Sequence, residues 1–194
     1  MSSREAILNA IKEGKSSKNM PLPEIDIAHM QYADIKEKFT TALTSVGGNA
    51  LFAENLAEVK AYIQEHYKDA SVIVSNIDEL DVGNRIANES DDPHTLKDVD
   101  LAIIKGEFAV AENGAVWVKE ENCRHRALYF ITQKLMILVP KGAIVHTMHE
   151  AYEHVSFDTG NFGLFISGPS KTADIEQSLV IGAHGATEAC IVFV

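Results

Sequence analysis

Short apolar runs that alternate with helix-like segments constrain the fold of this chain more than any other feature. Four such runs, SVIVS, DLAIIKG, KLMILVP and ACIVFV, occupy residues 71–75, 100–106, 134–140 and 189–194. They lack the polar alternation of a half-exposed strand, which is typical of strands buried on both faces, and intervening helices connect parallel strands. The pattern therefore predicts an α/β protein whose mostly parallel sheet is covered on both sides.

Helical spacing of apolar residues predicts the covering elements. Ile35, Phe39 and Leu43 fall on one face of a segment that should end at Gly47-Gly48. Further helices are predicted over residues 55–67, 121–133 and 143–155, and additional strands over residues 108–118 and 163–168.

The N-terminal region is predicted to stand apart from the main domain. Residues 1–15 indicate a short amphipathic helix that Ser3 can cap. Residues 16–31 contain serines and two prolines, a composition typical of a linker. The main domain is therefore predicted to occupy residues 32–194.

Composition argues against several classes of function. The net charge is -11, with 17 basic and 28 acidic residues, whereas nucleic acids and acidic membranes attract clustered Lys and Arg. No apolar run approaches the roughly 20 residues of a membrane span, and no signal peptide is recognised, so a cytoplasmic location is predicted. Cys123 and Cys190 are predicted to be buried thiols; two isolated cysteines cannot supply a four-thiolate cluster, so no metal site is expected on this chain.

One candidate site is the loop that follows the strand at residues 163–168. Gly168, Ser170, Lys171 and Thr172 combine backbone freedom, two hydroxyls and one cation, which suit a carboxylate or a phosphate. Asp174 is expected to cap or hydrogen-bond the same loop. A purely structural turn would explain these residues as well.

The second candidate site is the sequence Ala-Glu-Asn-Gly at residues 111–114. Because ligands of open parallel sheets bind at the carboxyl ends of strands, Glu112 and Gly114 are expected near the first loop. Glu112 would serve there as a nucleophile or a general base. The alternative is an Asn-Gly hairpin turn with an incidental acid.

Two further clusters carry weaker signals. Arg124 and Arg126 could face the same anion, although such pairs usually bind surface carboxylates. His146, His149 and His154 do not have the His-Glu-x-x-His spacing of a metal site, so exposed helix histidines explain them better.

The stretch GPSKTADIEQSLVIGAHG, residues 168–185, and the apolar strand after it resemble the lactate utilization protein C family of LUD-domain proteins. The resemblance extends to the N-terminal helix, the AENGAVWV segment, the arginine-containing segment and KLMILVP. It implies a three-layer α/β/α sandwich of the NagB/RpiA/CoA-transferase type, with residues 32–194 as the LUD domain.

The resemblance also implies a function. Family members take part in oxidising L-lactate to pyruvate, alongside partner subunits that carry iron–sulfur clusters, and this chain matches the cluster-free component. It would thus be a possible subunit of an L-lactate-oxidising complex, and a homo-oligomer is common for the fold. Its pocket would join Glu112 and Gly114 to Ser170, Lys171 and Thr172 around a small carboxylate or phosphate.

Two departures from the family pattern leave alternatives open. The usual Ala-Glu-Thr-Gly-Thr is here Ala-Glu-Asn-Gly-Ala at residues 111–115, and Lys171 stands where arginine is frequent. Glu-Asn-Gly also resembles class I CoA-transferases, in which this glutamate forms an acyl-CoA thioester. A CoA-transferase-like enzyme that uses Glu112, or a non-catalytic assembly module, are the alternatives.

Overall fold

The computed structural model describes residues 2–14, 30–85, 92–120, 123, 125–155, 162–173 and 179–194. The helices are α1 (Ser3–Gly14), α2 (Ile35–Ser45), α3 (Leu56–His66), α4 (Leu128–Ile131) and α5 (Met148–His154). The strands are β1 (Asn49–Phe52), β2 (Ile73–Ser75), β3 (Leu101–Lys105), β4 (Phe108–Val110), β5 (Ala115–Lys119), β6 (Lys134–Val139), β7 (Ile144–Val145), β8 (Gly163–Ile166), β9 (Lys171–Ala173), β10 (Leu179–Ile181) and β11 (Glu188–Phe193).

The core of the molecule is a five-stranded parallel sheet in the order β1-β11-β6-β3-β2. Alternate residues of each strand face opposite sides, because side chains along a strand have a period of two. In β6, Met136 and Leu138 face one side, whereas Leu135, Ile137 and Val139 face the other. Both sides are therefore apolar, and the predicted mostly parallel α/β fold is confirmed.

Helices cover the two sides of this sheet and give the fold three layers. On one side, α3 packs through Val59 and Ile63, both buried. On the other side, α2 packs through Phe39 and Leu43, which have no exposed surface. Asp34 caps α2 by accepting hydrogen bonds from the first-turn backbone, so the predicted helix and its buried face are confirmed.

A second sheet, in the order β7-β4-β5-β8, forms part of the layer on the α2 side. Its β4–β5 and β5–β8 pairs are antiparallel. The strands that precede both candidate loops, β4 and β8, thus lie outside the parallel sheet. The prediction that these loops follow the carboxyl ends of its strands is wrong, because β4 pairs with β5 as a hairpin and β8, although distant in sequence, also pairs with β5.

Two predicted helices are shorter than their apolar patterns indicated. Among the described residues of 121–133, the helix is α4, and it ends where Thr132 is extended and its buried hydroxyl donates to the Lys134 carbonyl at 2.9 Å. In residues 143–155 the β-branched pair Ile144–Val145 forms β7 beside β4. Helix α5 begins only after Thr147, whose side chain accepts a hydrogen bond from the Glu150 backbone.

The N-terminal helix α1 contributes no buried residue. Ser2, rather than Ser3, caps it: the Ser2 hydroxyl accepts from the Glu5 backbone, and the Glu5 carboxylate accepts from the Ser2 backbone. Most of the predicted linker, residues 16–31, falls outside the described residues, so the proposed domain boundaries stay a prediction.

Both cysteines are buried free thiols, as predicted. Burial raises the pKa of the Cys190 thiol to about 11. Within the described ranges, no helix combines the length and apolar character needed to cross a bilayer.

The tip of the β4–β5 hairpin rests on α2 through Gly114. This residue has a positive φ of 68°, and a Cβ there would lie 2.7 Å from both the nitrogen and the Cα of Leu43. Gly142 has a similar φ of 80°, yet a Cβ there would meet nothing within 4 Å. The two glycines form a matched pair that differs in crowding.

We expect Gly114→Ala to lower the free energy of unfolding by about 3 kcal/mol, because a left-handed backbone and a backbone clash both oppose the new Cβ. Gly142→Ala should cost about 1 kcal/mol, since only the backbone conformation opposes it. Urea denaturation measures both values. Equal costs would contradict the close contact between the hairpin and α2.

Candidate functional site

The loop at residues 167–170 lies against the amino ends of the parallel strands. A Cβ on Gly48, just before β1, would lie 3.3 Å from the Gly168 Cα. The Ser170 backbone donates to the Ala186 carbonyl at 2.8 Å, shortly before β11, and the Ser170 carbonyl accepts from Gly182 at 2.9 Å. The loop is therefore joined to the segment GAHG, residues 182–185.

The ammonium of Lys171 holds this loop together. Its Nζ donates to the carbonyls of Val46, Ser167 and Pro169 at 3.1, 3.0 and 3.1 Å. Three carbonyls match the three protons of an ammonium. Partial burial lowers the pKa of Lys171 below its ordinary value. The geometry thus gives Lys171 a structural role in joining the loop to the end of α2.

A cleft of about 240 Å³ opens beside Gly168 and Ser170. Its walls are mainly apolar and come from α4, β6 and β8, including Tyr129, Leu135, Leu164, Phe165 and Ile166. Polar groups reach it from Ser167, Ser170 and His184. A few polar groups within an apolar wall are the usual composition of a small-ligand site.

A wider cavity of about 500 Å³ shares Phe130 and His184 with this cleft. It is lined at the amino edge of the sheet by Lys97, Gln133 and the segment 182–185. Gly185 permits the close approach, because a Cβ there would lie 2.8 Å from the Phe130 carbonyl and 3.1 Å from the Ser170 Cβ. His184 therefore lines both spaces.

Sequence reasoning did not select His184. A histidine within a glycine-containing segment that leads into a buried strand was the available signal. Its partners come from α4 and from the loop at residues 167–170, which are distant in sequence, so their proximity was visible only in the structure.

Glu112 is exposed at the tip of the β4–β5 hairpin, and its carboxylate faces α5. Its Oε2 accepts a hydrogen bond from the Met148 backbone at 2.8 Å, in the first turn of the helix. A carboxylate is stabilised at that end of a helix because the first backbone N–H groups lack partners within the helix. The interpretation of residues 111–114 as a hairpin turn is confirmed.

The two candidate loops do contact each other. The Ser167 hydroxyl donates to the Asn113 carbonyl at 2.8 Å. The contact brings the backbone at Gly114 near Gly168, but the Glu112 carboxylate binds α5 and the Lys171 ammonium binds backbone carbonyls. The polar groups that line the cleft are therefore Ser167, Ser170 and His184, rather than Glu112 or Lys171.

Other predicted site residues have separate positions. Arg126 binds both carboxylate oxygens of Glu120 at 2.8 and 2.9 Å and lies over the Phe162 ring, and this pairing holds the pKa of Glu120 below its usual range. Thr172 pairs with Val180 in the β9–β10 hairpin. Arg124 and Asp174 lie outside the described residues.

The histidines singled out in the sequence also have different surroundings. His146 precedes α5, and its Nδ1 accepts a hydrogen bond from the Tyr32 backbone at 3.0 Å. The His154 ring packs near Phe108. In the part of the chain that the structure describes, no group of three or more His, Cys, Asp or Glu side chains is placed to hold a metal ion.

The parallel sheet and the glycine-containing loops at its amino edge define a mostly parallel α/β protein with a small apolar cleft. A family model, the LUD domain, matches residues 91–194, more than half of the 194 residues. The chain therefore belongs to the LUD domain family. The match includes β3 to β11 and every residue that lines the cleft.

Curated relatives share the name lactate utilization protein C. The protein from Shouchella clausii is 36% identical over 100 residues, which cover 49% of this chain and 44% of the relative. The one from a Geobacillus species, strain WCH70, is 29% identical over 138 residues, or 68% of this chain and 51% of the relative. The chain thus spans about half the length of the curated relatives it matches.

A solved structure shares the fold. A DUF162 family protein from Deinococcus radiodurans superimposes with a TM-score of 0.66 at 19% identity, covering 85% of this chain and 99% of that protein. At that identity, the similarity supports the fold alone.

We expect Lys171→Met to lower the free energy of unfolding by about 1–3 kcal/mol, because three carbonyls lose a charged donor while the apolar stem remains. Lys105→Met, at the exposed end of β3, is the control and should cost under about 0.5 kcal/mol. Thermal and urea denaturation measure both. Unchanged stability in Lys171→Met would contradict the structural role of this ammonium.

Proposed function

We propose that the protein acts in lactate utilization as the cluster-free component of an iron–sulfur system that oxidises L-lactate to pyruvate. The observation that carries this proposal is the LUD-domain match over residues 91–194, together with curated relatives named lactate utilization protein C. Because the chain spans about half of those relatives, the activity, the substrate and the partners are all part of the proposal.

The small carboxylate would bind in the cleft beside Ser170 and His184. The Ser170 hydroxyl and an imidazole N–H can both donate to a carboxylate, and the apolar wall accommodates the methyl group of lactate or pyruvate. The cleft volume of about 240 Å³ leaves room for an acid of three carbons. Lys171 would act indirectly, by fixing the loop that presents Ser170.

Electrons would leave through partner subunits. Conversion of L-lactate to pyruvate removes two electrons and two protons, and two isolated buried thiols provide no cluster for the electrons. Iron–sulfur clusters are therefore expected in the partner subunits. This chain would bind the carboxylate and pass it to those subunits or receive it from them. Glu112 is the acid/base candidate that the family resemblance implies, although its carboxylate binds the α5 backbone rather than lining the cleft.

The two alternative functions, a CoA-transferase-like enzyme and a non-catalytic assembly module, differ in what they require of the Glu112 carboxylate. A CoA-transferase-like enzyme needs this carboxylate free to attack an acyl-CoA, whereas it binds the α5 backbone. Mass spectrometry after incubation with acyl-CoA thioesters would detect the corresponding adduct. A non-catalytic assembly module would need neither the adduct nor the cleft.

Ser170→Ala and His184→Leu are each expected to weaken the binding of L-lactate and pyruvate at least about tenfold, because each removes one hydrogen-bond donor to a charged group. Titrations followed by backbone amide NMR measure this effect. Ser71→Ala, an exposed serine just before β2 that does not line the cleft, serves as the control and should bind like the native protein.

The same titration separates the possible outcomes. Amide shifts confined to residues 167–170 and 182–186 support the proposed cleft. Binding that is equal in the native protein and in both cleft variants would place the carboxylate elsewhere and refute this part of the proposal.

The partner proposal has its own test in lactate-grown cells of the source organism. Affinity purification of the full chain should recover cysteine-rich proteins that show the visible absorbance of iron–sulfur clusters. Recovery of the chain without any cluster-bearing protein would count against a place in such a system, even if the cleft binds lactate.

A further inference from the structure

A second small cavity, of about 190 Å³, lies at the carboxyl ends of the parallel strands, whereas the cleft beside Ser170 lies at their amino ends. It is formed where β1, β11 and β6 end, and Phe52, Phe193 and Lys141 belong to those ends. Lys36, from the first turn of α2, completes its rim. None of these residues lines the cleft beside Ser170.

The path of the chain explains why a crevice forms there. From its carboxyl end, β1 leads into α3, which packs on one side of the sheet. The end of β6 leads into β7, which packs on the other side. The two connections therefore leave toward opposite sides from the strands that flank β11. An open parallel sheet has a crevice at its carboxyl ends where connections diverge in this way, and ligands of such sheets bind there.

An aromatic platform forms one wall of this crevice. The rings of Phe52 and Phe193 are stacked, with centroids 4.9 Å apart and planes 10° from parallel. Phe193 is buried, whereas Phe52 is 39% exposed even though it is a large apolar side chain. Because Phe193 stacks against one face of the Phe52 ring, only the opposite face is open to a second ring.

Two lysines add positive charge beside that ring. The Lys36 Nζ lies over the Phe52 ring, 5.4 Å from its centroid. The Lys141 Nζ binds the Glu54 carboxylate at 3.0 Å and the Glu54 carbonyl at 2.9 Å. The Glu54 side chain is 81% exposed, so this ion pair contributes little and an incoming anion can replace the carboxylate.

We propose that this crevice binds an aromatic acid, a ligand with one planar ring and one carboxylate or phosphate group. The ring would stack on the open face of Phe52 and displace the Lys36 ammonium from above it, and the anionic group would lie between Lys36 and Lys141. A volume of about 190 Å³ is below the roughly 300–1,000 Å³ of drug-sized pockets, which favours a single ring. The site is independent of the proposed lactate cleft.

Phenyl phosphate and benzoate are the probes, with inorganic phosphate and acetate as ringless anions and phenol as an uncharged ring. Titrations followed by backbone amide NMR should show shifts at Lys141 and Gly142. We expect each ring-bearing acid to bind at least about fivefold more tightly than its ringless counterpart, since stacking on an aromatic side chain adds affinity.

Variants test each component of the crevice. Lys36→Gln and Phe52→Leu should each weaken phenyl phosphate binding by about fivefold to tenfold. Glu54→Gln should strengthen it by about twofold to fivefold, because the competing carboxylate is lost. Lys105→Gln, at the same edge of the sheet, is the control and should leave the affinity unchanged.

Three results would overturn the proposal. They are the absence of amide shifts with both ring-bearing acids, equal affinity for phenyl phosphate and inorganic phosphate, and equal affinity for phenyl phosphate and phenol. Weakening by Glu54→Gln would also contradict it, because that carboxylate is assigned a competing role. Lactate binding in the same variants should be unchanged, which separates this site from the cleft beside Ser170.

Discussion

Burial of the five-stranded sheet on both sides is the constraint on which the rest of the structure depends. A strand such as β6 is apolar on both faces, so each face needs a covering layer to remove it from water. Helix α3 supplies most of one layer. The other is shared between α2, α4 and the inner face of the second sheet, and α5 packs on the outer face of that sheet.

The carboxyl end of α2 is the place where both candidate loops attach to this covering layer. The hairpin tip contacts Leu43 through Gly114, and Lys171 binds the Val46 carbonyl just beyond the helix. Ser167 joins the two loops through the Asn113 carbonyl. Both loops are thus fixed relative to the sheet. The backbone that carries Ser170 and His184 therefore has little conformational freedom.

Much of the fold could be predicted because its signals are local. The spacing of Phe39 and Leu43 and the apolar run of β6 identify elements whose burial any mostly parallel sheet requires. The sequence did not indicate that residues 143–155 divide into β7 and α5. This division depends on the pairing of β7 with β4, which lies outside that segment. Long-range pairing decides such cases over local propensity.

The site was harder to predict for the same reason. The residues at 168–172 were recognised as a group, but their direction relative to the sheet depends on whether β8 joins the parallel sheet or the β4–β5 hairpin. Pairing with β5 placed that loop at the amino edge and gave Lys171 backbone carbonyls as partners. The family resemblance pointed to this segment without specifying which of its atoms face the cleft.

The local charge differs between the amino ends and the carboxyl ends of the parallel strands. In a chain of net charge -11, an anion approaches favourably only where local cations or donors outweigh the surrounding carboxylates. At the amino edge, the Lys171 ammonium is already bound to carbonyls, so short-range hydrogen bonds from Ser170 and His184 would hold a small acid. At the carboxyl edge, Lys36 and Lys141 lie beside an exposed ring, so attraction and stacking act on one ligand. The two sites would therefore respond differently to salt, since screening weakens exposed charges more than directed hydrogen bonds inside an apolar cleft.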